Sequence, residues 1–266
     1  MDTAAFLQSH PVFSTREMAR ALKTPQEGAA FRLHYYVRTG KVARAARGVY
    51  AVLPPGSSRR RFSPDPFLVA AALESDGIFS HHAALELLGA SHSEFGICSL
   101  WAPSYRRRIS VGERELRFFE YPKPFARRAA RLAGTRTTLR GGRTLRFTGP
   151  ERTLAEAFRN PALVGGVEEL VESASGFPAL DLRLLRRILE AYDEKLLWSA
   201  VGWFLERSGP AFGATVRLLS YLERRRPKSP QYLVRGSRGG TFVKRWNLIV
   251  PDALGKGREP DEPRHG

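Results

Sequence analysis

Seven residues between Phe31 and Arg47 combine basic and aromatic side chains at spacings that can present them on one surface. They are Phe31, Arg32, Tyr35, Arg38, Lys41, Arg44 and Arg47. Arginine can donate two hydrogen bonds to the major-groove edge of guanine, and both arginine and lysine bind phosphate groups. This set of side chains indicates a nucleic-acid-binding surface. The same residues are also compatible with a protein-contact surface whose charges are simply solvated.

Two short helices are predicted to position the first four of these residues. Ser14 followed three residues later by Glu17 has the pattern of a capping box at the start of a helix. Thr24 followed by Pro25 predicts the N-cap and first turn of a second helix, and Gly40 predicts its left-handed end. Two capped helices separated by so short a turn are typical of a helix-turn-helix.

A basic hairpin is predicted to follow the second helix. Residues 41–44 and 48–52 alternate as two strands joined at residues 45–47, and this hairpin is the candidate wing of a winged helix. A helical wheel places the basic and aromatic residues of the second helix away from its apolar side. The residues predicted to face the core are Ala29, Ala30, Leu33, Tyr36 and Val37.

Composition favours a polyanionic partner. The 266 residues contain 43 Lys and Arg against 26 Asp and Glu, for a net charge of +17. Apolar residues make up 42% of the chain, enough for a sizeable core and too many for global disorder. Cys98 is the single cysteine, which excludes a disulfide framework. The first residues lack the pattern of a signal peptide and no apolar stretch is long enough to span a bilayer, so we expect a cytoplasmic protein.

The most basic part of the chain lies outside the predicted helix-turn-helix. Residues 105–147 contain thirteen Lys and Arg and three Asp and Glu. Their aromatic residues fit two amphipathic hairpins with aromatic side chains inside and arginines outside. For the arginines, a second DNA contact and a face for an acidic protein partner are equally consistent with the sequence. The candidate second basic surface consists of Arg106, Arg107, Arg108, Arg127, Arg128 and Arg131.

Histidine, cysteine and glycine patterns give no metal or nucleotide site. Adjacent His81 and His82 point in different directions on a helix, and with Cys98 they do not form a zinc-binding spacing. The glycine-rich residues 236–240 lack the lysine and the following helix of a phosphate-binding loop. We therefore expect neither a metal nor a cofactor.

Catalytic patterns are equally weak. Asp65 with Glu115 and Arg117 approximates the acids of a metal-dependent nuclease, but the lysine of that pattern is missing. No spaced acidic pair follows the Gly-Ser steps at Gly56 and Gly236, as a nucleotidyltransferase would require, and no serine nucleophile elbow occurs. The sequence therefore predicts a binding protein and not an enzyme.

Helical and strand-like segments alternate after the hairpin. We expect a linker over residues 55–64, a larger mixed α+β domain over residues 65–254, and a disordered tail over residues 255–266. The predicted fold class is α+β, with a winged helix-turn-helix over residues 1–54 followed by the larger domain.

Six stretches in this order resemble the AbiEi-type antitoxins of type IV toxin–antitoxin systems. The resemblance extends from about Phe13 to Leu254, and it is the order and spacing of the stretches that make it specific. They are RTGKVARAARGVYAV, DPFLVAAAL, FSHHAALELLG, RFTGPERTLAEAFRNPALVGGVEELVES, VGWFLE and WNLIVP.

The resemblance implies a bacterial transcriptional repressor that is also an antitoxin. It implies that the N-terminal domain binds inverted repeats in double-stranded DNA upstream of its own operon. It also implies that the C-terminal domain neutralises a toxin resembling a nucleotidyltransferase, without requiring a stable complex. Two alternatives remain from the residues: a ligand-responsive winged-helix regulator without a toxin, and a DNA-acting nuclease targeted by its winged helix.

Overall fold

The computed structural model describes residues 2–103 and 106–255, without the side chains of residues 106, 107, 209 and 210. The fold is mixed α+β, which confirms the predicted class. The chain divides into two compact units. The first comprises Met1–Ala83 and Phe95–Phe147, and the second comprises Ala84–Glu94 and Thr148–Gly266.

The first unit begins with three helices and three short strands. These elements are α1 (Thr3–Ser9), β1 (Val12–Ser14), α2 (Thr15–Ala21), α3 (Gln26–Arg38), β2 (Val42–Ala46) and β3 (Val49–Val52). The strands form an antiparallel sheet in the order β1-β3-β2. The helices pack around a small apolar core. Its buried members are Phe6, Phe13, Met18, Ala19, Ala29, Leu33 and Val42.

The start of α2 is confirmed, whereas the predicted cap of α3 is wrong. The Ser14 hydroxyl accepts from the backbone N–H of Glu17 at 3.2 Å, and the Glu17 carboxylate accepts from the Ser14 N–H at 2.7 Å. Thr24 does not cap α3, because extended Pro25 separates it from the first helical residue. The Thr24 hydroxyl is instead buried without a hydrogen-bond partner among the described residues, while its N–H bonds to the carbonyl of Ala19.

The end of α3 and the hairpin follow the sequence closely. Gly40 adopts a φ of +75°, and the next N–H, of Lys41, bonds back to the carbonyl of Tyr36 at 2.9 Å. Gly48 has the same φ and turns the chain from β2 to β3. The strands are displaced by a residue or two from the predicted bounds, with an irregular register between Arg44 and Ala46.

The rest of the first unit is built on a six-stranded mixed sheet, in the order β6-β7-β5-β4-β9-β8. Pairs β5–β7 and β4–β9 are parallel, and pairs β4–β5 and β6–β7 are antiparallel. Helix α5 continues from this unit into the second. The elements are α4 (Pro66–Leu73), β4 (Ile78–Phe79), α5 (His81–Leu88), β5 (Ile97–Ala102), β6 (Arg106–Val111), β7 (Arg114–Glu120), α6 (Arg128–Arg131), β8 (Thr135–Arg140) and β9 (Arg143–Thr148).

The division into units does not coincide with the predicted boundary at residues 55–64. Helix α4, which follows the predicted linker, packs on β1 and β3. Its N-cap residue Asp65 also pairs with Arg140 of β8 at 2.6 Å. The N-terminal segment and the six-stranded sheet therefore belong to one compact unit, because long-range ion pairs and helix packing hold residues from both.

The second unit is mainly helical and ends in a small sheet. That sheet has the order β10-β12-β11, with β10 parallel and β11 antiparallel to β12. Large buried side chains include Trp198, Phe204 and Trp246. The elements are α7 (Pro150–Arg159), α8 (Val167–Ser175), α9 (Leu182–Tyr192), α10 (Lys195–Arg207), α11 (Gly209–Phe212), α12 (Val216–Glu223), β10 (Gln231–Tyr232), β11 (Thr241–Val243), β12 (Leu248–Val250) and α13 (Asp252–Gly255).

The predicted disordered tail, apart from its first residue Gly255, lies outside the described residues. Within the part of the chain that the structure describes, each helix is too short or too polar to cross a bilayer.

Candidate nucleic-acid interface

The outer face of α3, defined by Gly28, Phe31, Tyr35 and Arg38, points away from the core. Phe31 is 79% exposed and Tyr35 is 51% exposed, and Arg38 is exposed as well. On the opposite side of α3, Ala29 and Leu33 are fully buried. Tyr36 and Val37 are half-buried against the core, but Ala30, predicted to face it, is exposed. The helical period of 3.6 residues therefore places two aromatic rings and one cation on the same exposed stripe.

Arg32 occupies the flank of this helix and not its centre. Its guanidinium lies 3.4 Å from the hydroxyl of Thr3 in α1. Arg32 is exposed, as predicted, but it projects about a quarter turn from Phe31 around the helix axis. Arg32 is therefore better placed to contact the edge of a ligand bound on this face than its middle.

Cations of the hairpin continue the positive surface beyond α3. Lys41, Arg44 and Arg47 are all exposed, as predicted. The ammonium group of Lys41 lies 5.4 Å from the ring centre of Tyr36, and the Tyr36 ring contacts Tyr35 edge-on at 5.7 Å. This succession of contacts supports the exposed Tyr35 ring on one side.

Three further residues of this surface lie outside the seven predicted from the sequence. His34 is exposed on α3. Gly28 lies near the start of α3, and apart from neighbouring backbone no described heavy atom lies within 4 Å of where its Cβ would be. Arg59 donates to the carbonyl of Val37 at the C-terminal end of α3, whereas the sequence allowed either a phosphate contact or a solvated linker. The long sequence separation of Arg59 and Val37 leaves no local pattern that predicts their contact.

Arg143 connects the six-stranded sheet to β1, α2 and α4. The Arg143 guanidinium lies 2.7 Å from the Glu17 carboxylate and donates to the carbonyls of Val12 at 3.3 Å and Ala71 at 3.4 Å. Its side chain is only 17% exposed. A single arginine of β9 therefore contacts β1, α2 and α4 together.

The candidate second basic surface divides into residues with different environments. Arg127 and Arg128 are exposed near α6, and Arg108 is 62% exposed, 3.8 Å from Glu115. Arg131 is half-buried, with its guanidinium 4.0 Å from the ring centre of Tyr121. Arg106 and Arg107 lie in β6, but their side chains are outside the described part of the structure.

Strand β6 lies beside strand β2 of the hairpin. Strand β6 begins with Arg106, Arg107 and Arg108, and β2 carries Arg44. Both strands are at the edges of their own sheets. Two arginine-bearing edge strands of the first unit are therefore neighbours.

Three aromatic residues of the basic segment face inward, as predicted, whereas Phe119 is half-buried. Phe118, Tyr121 and Phe125 are each less than one tenth exposed. The Tyr121 hydroxyl donates to the carbonyl of Asp76 at 2.6 Å. Tyr105 lies outside the described residues. These buried rings belong to the core of the first unit and are not available to stack on nucleic-acid bases.

The histidines considered as metal ligands are buried among aromatic rings. The His81 ring lies 5.1 Å from Trp101, with its Nδ1 2.9 Å from the Ser80 hydroxyl, and the His82 ring lies 5.1 Å from Phe95. Among residues 2–103 and 106–255, no group of three or more His, Cys, Asp or Glu side chains is arranged to hold a metal ion.

The acids considered for a nuclease have structural partners. Asp65 caps α4 by accepting from the N–H of Phe67 at 2.9 Å and pairs with Arg140. Glu115 forms a close ion pair with Arg117. Asp65 thus stabilises the start of α4, and Glu115 pairs with a neighbouring side chain on β7.

A buried polar cluster joins helices α7 and α9 of the second unit. Arg152 and Glu156, one turn apart on α7 and both fully buried, form an ion pair of 2.7 Å, and the Tyr192 hydroxyl donates to Glu156 at 2.8 Å. Burial, and next the charge of Glu156, raise the pKa of Tyr192 above its usual value. The phenol therefore stays neutral and acts as a hydrogen-bond donor.

An open cavity of about 420 Å³ lies next to this cluster in the second unit. Its walls include Phe158, Leu197 and Leu233, with the ion pair between Arg159 and Glu194 at 2.7 Å. Burial alone would lower the pKa of Arg159, but the hydrogen bonds to Glu194 raise it overall. Arg159 and Glu194 thus neutralise each other in a wall that also includes Lys195 and Arg235.

Comparison with known proteins gives information about the fold alone. No family profile matches the chain, and no curated protein matches it by sequence. The chain is similar in structure to the RV2827C protein from Mycobacterium tuberculosis, with a TM-score of 0.59 and 17% sequence identity. The match covers 93% of this chain and 89% of the other. At this identity the likeness shows a shared fold and nothing about activity.

Proposed function

We propose that this protein binds double-stranded DNA in a sequence-specific manner and that α1–α3 with β1–β3 form a winged helix-turn-helix. The observation that carries the proposal is the outer face of α3, which exposes Phe31, Tyr35 and Arg38 beside a basic hairpin. The element order and the strand order β1-β3-β2 support the proposal, because a winged helix joins its second and third helices tightly and follows them with a hairpin.

The charges of this surface favour DNA over a protein partner. Between Gln26 and Val52 the chain has five Lys and Arg side chains and a single acid, Glu27. All five cations are exposed. A surface with this balance attracts a polyanion, and phosphate contacts would fix the register of α3 on a duplex.

In this proposal α3 enters the major groove and the hairpin follows the backbone. The major groove is about 12 Å wide, which admits one α-helix with its side chains. Phe31 and Tyr35 would face base edges, Arg32 and Arg38 the groove rim, and Lys41, Arg44 and Arg47 the flanking phosphates. The neighbouring strand β6 would extend the phosphate contacts through Arg108.

The test is a mobility shift of the full-length protein on the region upstream of its own gene. We expect this duplex to bind more tightly than a shuffled duplex of equal length and composition. We also expect affinity for both to fall steeply with salt, since phosphate contacts release counterions. Equal affinity for the two duplexes would contradict sequence-specific binding.

From the resemblance alone, we further propose that the protein represses its own operon and counteracts a nucleotidyltransferase-like toxin. The full-length Arg32→Ala, Arg38→Ala variant separates these two activities. Expressed from an unrelated promoter, it should lose repression and still rescue growth from the toxin. A truncated chain is less suitable, because the N-terminal segment packs with residues up to Phe147 in one unit.

A further inference from the structure

The exposed ring of Phe31 lies on the side of α3 that would face the bases if this helix entered the major groove. Phe31 is 79% exposed at the centre of the outer face of α3, and Tyr35, one turn later, is 51% exposed. Single exposed apolar residues are common on protein surfaces. Here, however, two aromatic rings share one helical stripe with Arg38, close to the cations of the hairpin.

The small side chains in the N-terminal half of α3 allow its backbone to come close to a ligand. Gly28 precedes Phe31 by nearly one turn, its φ is not left-handed, and open space surrounds the position of its missing Cβ. Neither backbone conformation nor packing within the described residues therefore requires glycine there. Ala30 is exposed as well and also has a small side chain. Between the exposed Gln26 and Glu27 at its start and the Phe31 ring, the outer side of this helix thus offers little side-chain bulk.

We infer that Phe31 recognises the 5-methyl group of a thymine in the major groove. This inference rests on the proposed DNA-binding function and names the base that the site reads. Thymine is the DNA base that presents an apolar group on its major-groove edge, and phenylalanine contacts that methyl group without hydrogen bonds. Recognition helices contact base edges mainly through their N-terminal residues, and Phe31 is the last residue of the first half of α3.

The arginines of α3 are less suited to this central position. Arg32 lies on the flank beside Thr3, and Arg38 is the last residue of the helix. Their guanidinium groups would contact phosphates or bases at the edge of the site. The cations on both sides of Phe31 and Tyr35 favour DNA over an apolar protein partner, since such a partner would leave these charges poorly solvated.

The experiment uses the full-length protein and its preferred duplex, selected from a randomised duplex library. Each thymine of that duplex is replaced in turn by deoxyuridine, which removes the methyl group and keeps the hydrogen-bonding edge. We expect at least one thymine of that duplex whose replacement weakens binding about fourfold, the gain from burying one methyl group.

Phe31→Ala should abolish this difference between thymine and deoxyuridine, while salt-dependent binding to DNA is retained. The matched control is Leu139→Ala in β8, which removes an apolar side chain that is 72% exposed and should keep the difference. Both variants should fold, because neither side chain belongs to the core.

Three results would overturn the inference. One is sequence-specific binding in which deoxyuridine has no effect at any position. A second is a deoxyuridine effect that persists unchanged in Phe31→Ala. A third is a Phe31→Ala variant that binds DNA normally but loses self-association, since Phe31 would then serve a protein contact. A failure to select any preferred duplex would instead contradict the proposed function itself.

Discussion

The carboxylate of Glu17 lies 2.7 Å from the guanidinium of Arg143 while also accepting from the backbone N–H of Ser14 at 2.7 Å. One side chain thus completes the capping box of α2 and pairs with strand β9. Because α2 packs directly on α3, this ion pair helps to fix the helix that carries the proposed DNA-reading residues.

Arg143→Ala should destabilise the first unit. Its side chain is mostly buried and donates to Glu17 and to the carbonyls of Val12 and Ala71. Loss of hydrogen bonds to charged groups costs about 1.5–3 kcal/mol each, so we expect the free energy of unfolding to fall by at least about 2 kcal/mol. Urea denaturation measures this change. Arg136→Ala, an exposed arginine on β8, is the control, and an equal loss in both variants would contradict the account.

Local features of the N-terminal segment could be predicted from the sequence because their causes are local. The capping box of Ser14 and Glu17 and the left-handed Gly40 depend on residues a few positions apart. The exposure of Phe31 and Tyr35 follows from helical period alone. These rules act within one or two turns, and the structure confirms them.

Long-range partners could not be predicted. The contacts of Arg143 with Glu17 and of Asp65 with Arg140 join residues far apart in sequence, and they place the predicted linker inside one compact unit. Thr24 was misassigned because its residue type suits an N-cap, whereas the extended conformation of Pro25 moves the helix start beyond its reach. Gly28 could not be singled out from the sequence, because its only distinctive feature is the open space around its Cβ position.

Gly28→Ala should change stability and DNA affinity in opposite directions. Alanine favours a helix interior over glycine by about 0.5–1 kcal/mol, and open space is available for the added methyl group. We therefore expect a higher melting temperature together with weaker binding to the preferred duplex. Thermal unfolding and a binding titration on the same preparation measure both. Unchanged or tighter binding would show that α3 does not approach DNA closely at this turn.

Replacement of Arg106, Arg107 and Arg108 by Gln should weaken DNA binding at every sequence alike. Strand β6, which begins with these residues, lies beside the hairpin strand β2. Phosphate contacts carry no base information, and removal of one cation from a phosphate should lower the slope of log affinity against log salt by about one. The control replaces Arg127 and Arg128, exposed near α6, by Gln. An unchanged salt slope in the triple variant would place β6 outside the interface.

Glu169 should stabilise the second unit at neutral pH and lose this effect in acid. Its carboxylate accepts from the N–H groups of His92 and Ser93 and from the hydroxyls of Ser93 and Ser173. Burial alone would raise the pKa of Glu169, but these hydrogen bonds lower it overall.

A lowered folded-state pKa means that the contribution of Glu169 is fully present above about pH 4.5 and is lost as the pH falls through the folded value. We expect Glu169→Gln to flatten the dependence of unfolding free energy on pH below that point. The neighbouring exposed Glu168, replaced by Gln, is the control. Equal acid dependence in both variants would contradict this role.

The most direct measurement of the central claim compares two pairs of exposed cations in the full-length protein. One variant changes Arg38 and Lys41, at the end of α3 and the start of the hairpin, to Gln. The other changes Arg183 and Arg187 of α9 to Gln, which removes the same charge from the second unit. Affinity for the preferred duplex and for a shuffled duplex is titrated at several salt concentrations.

The account predicts that the Arg38 and Lys41 variant loses affinity, with a salt slope lower by about two, whereas the Arg183 and Arg187 variant binds like the unaltered protein. Equal losses in the two variants would mean that DNA responds only to net charge. That result would contradict a DNA-reading surface on α3 and its hairpin.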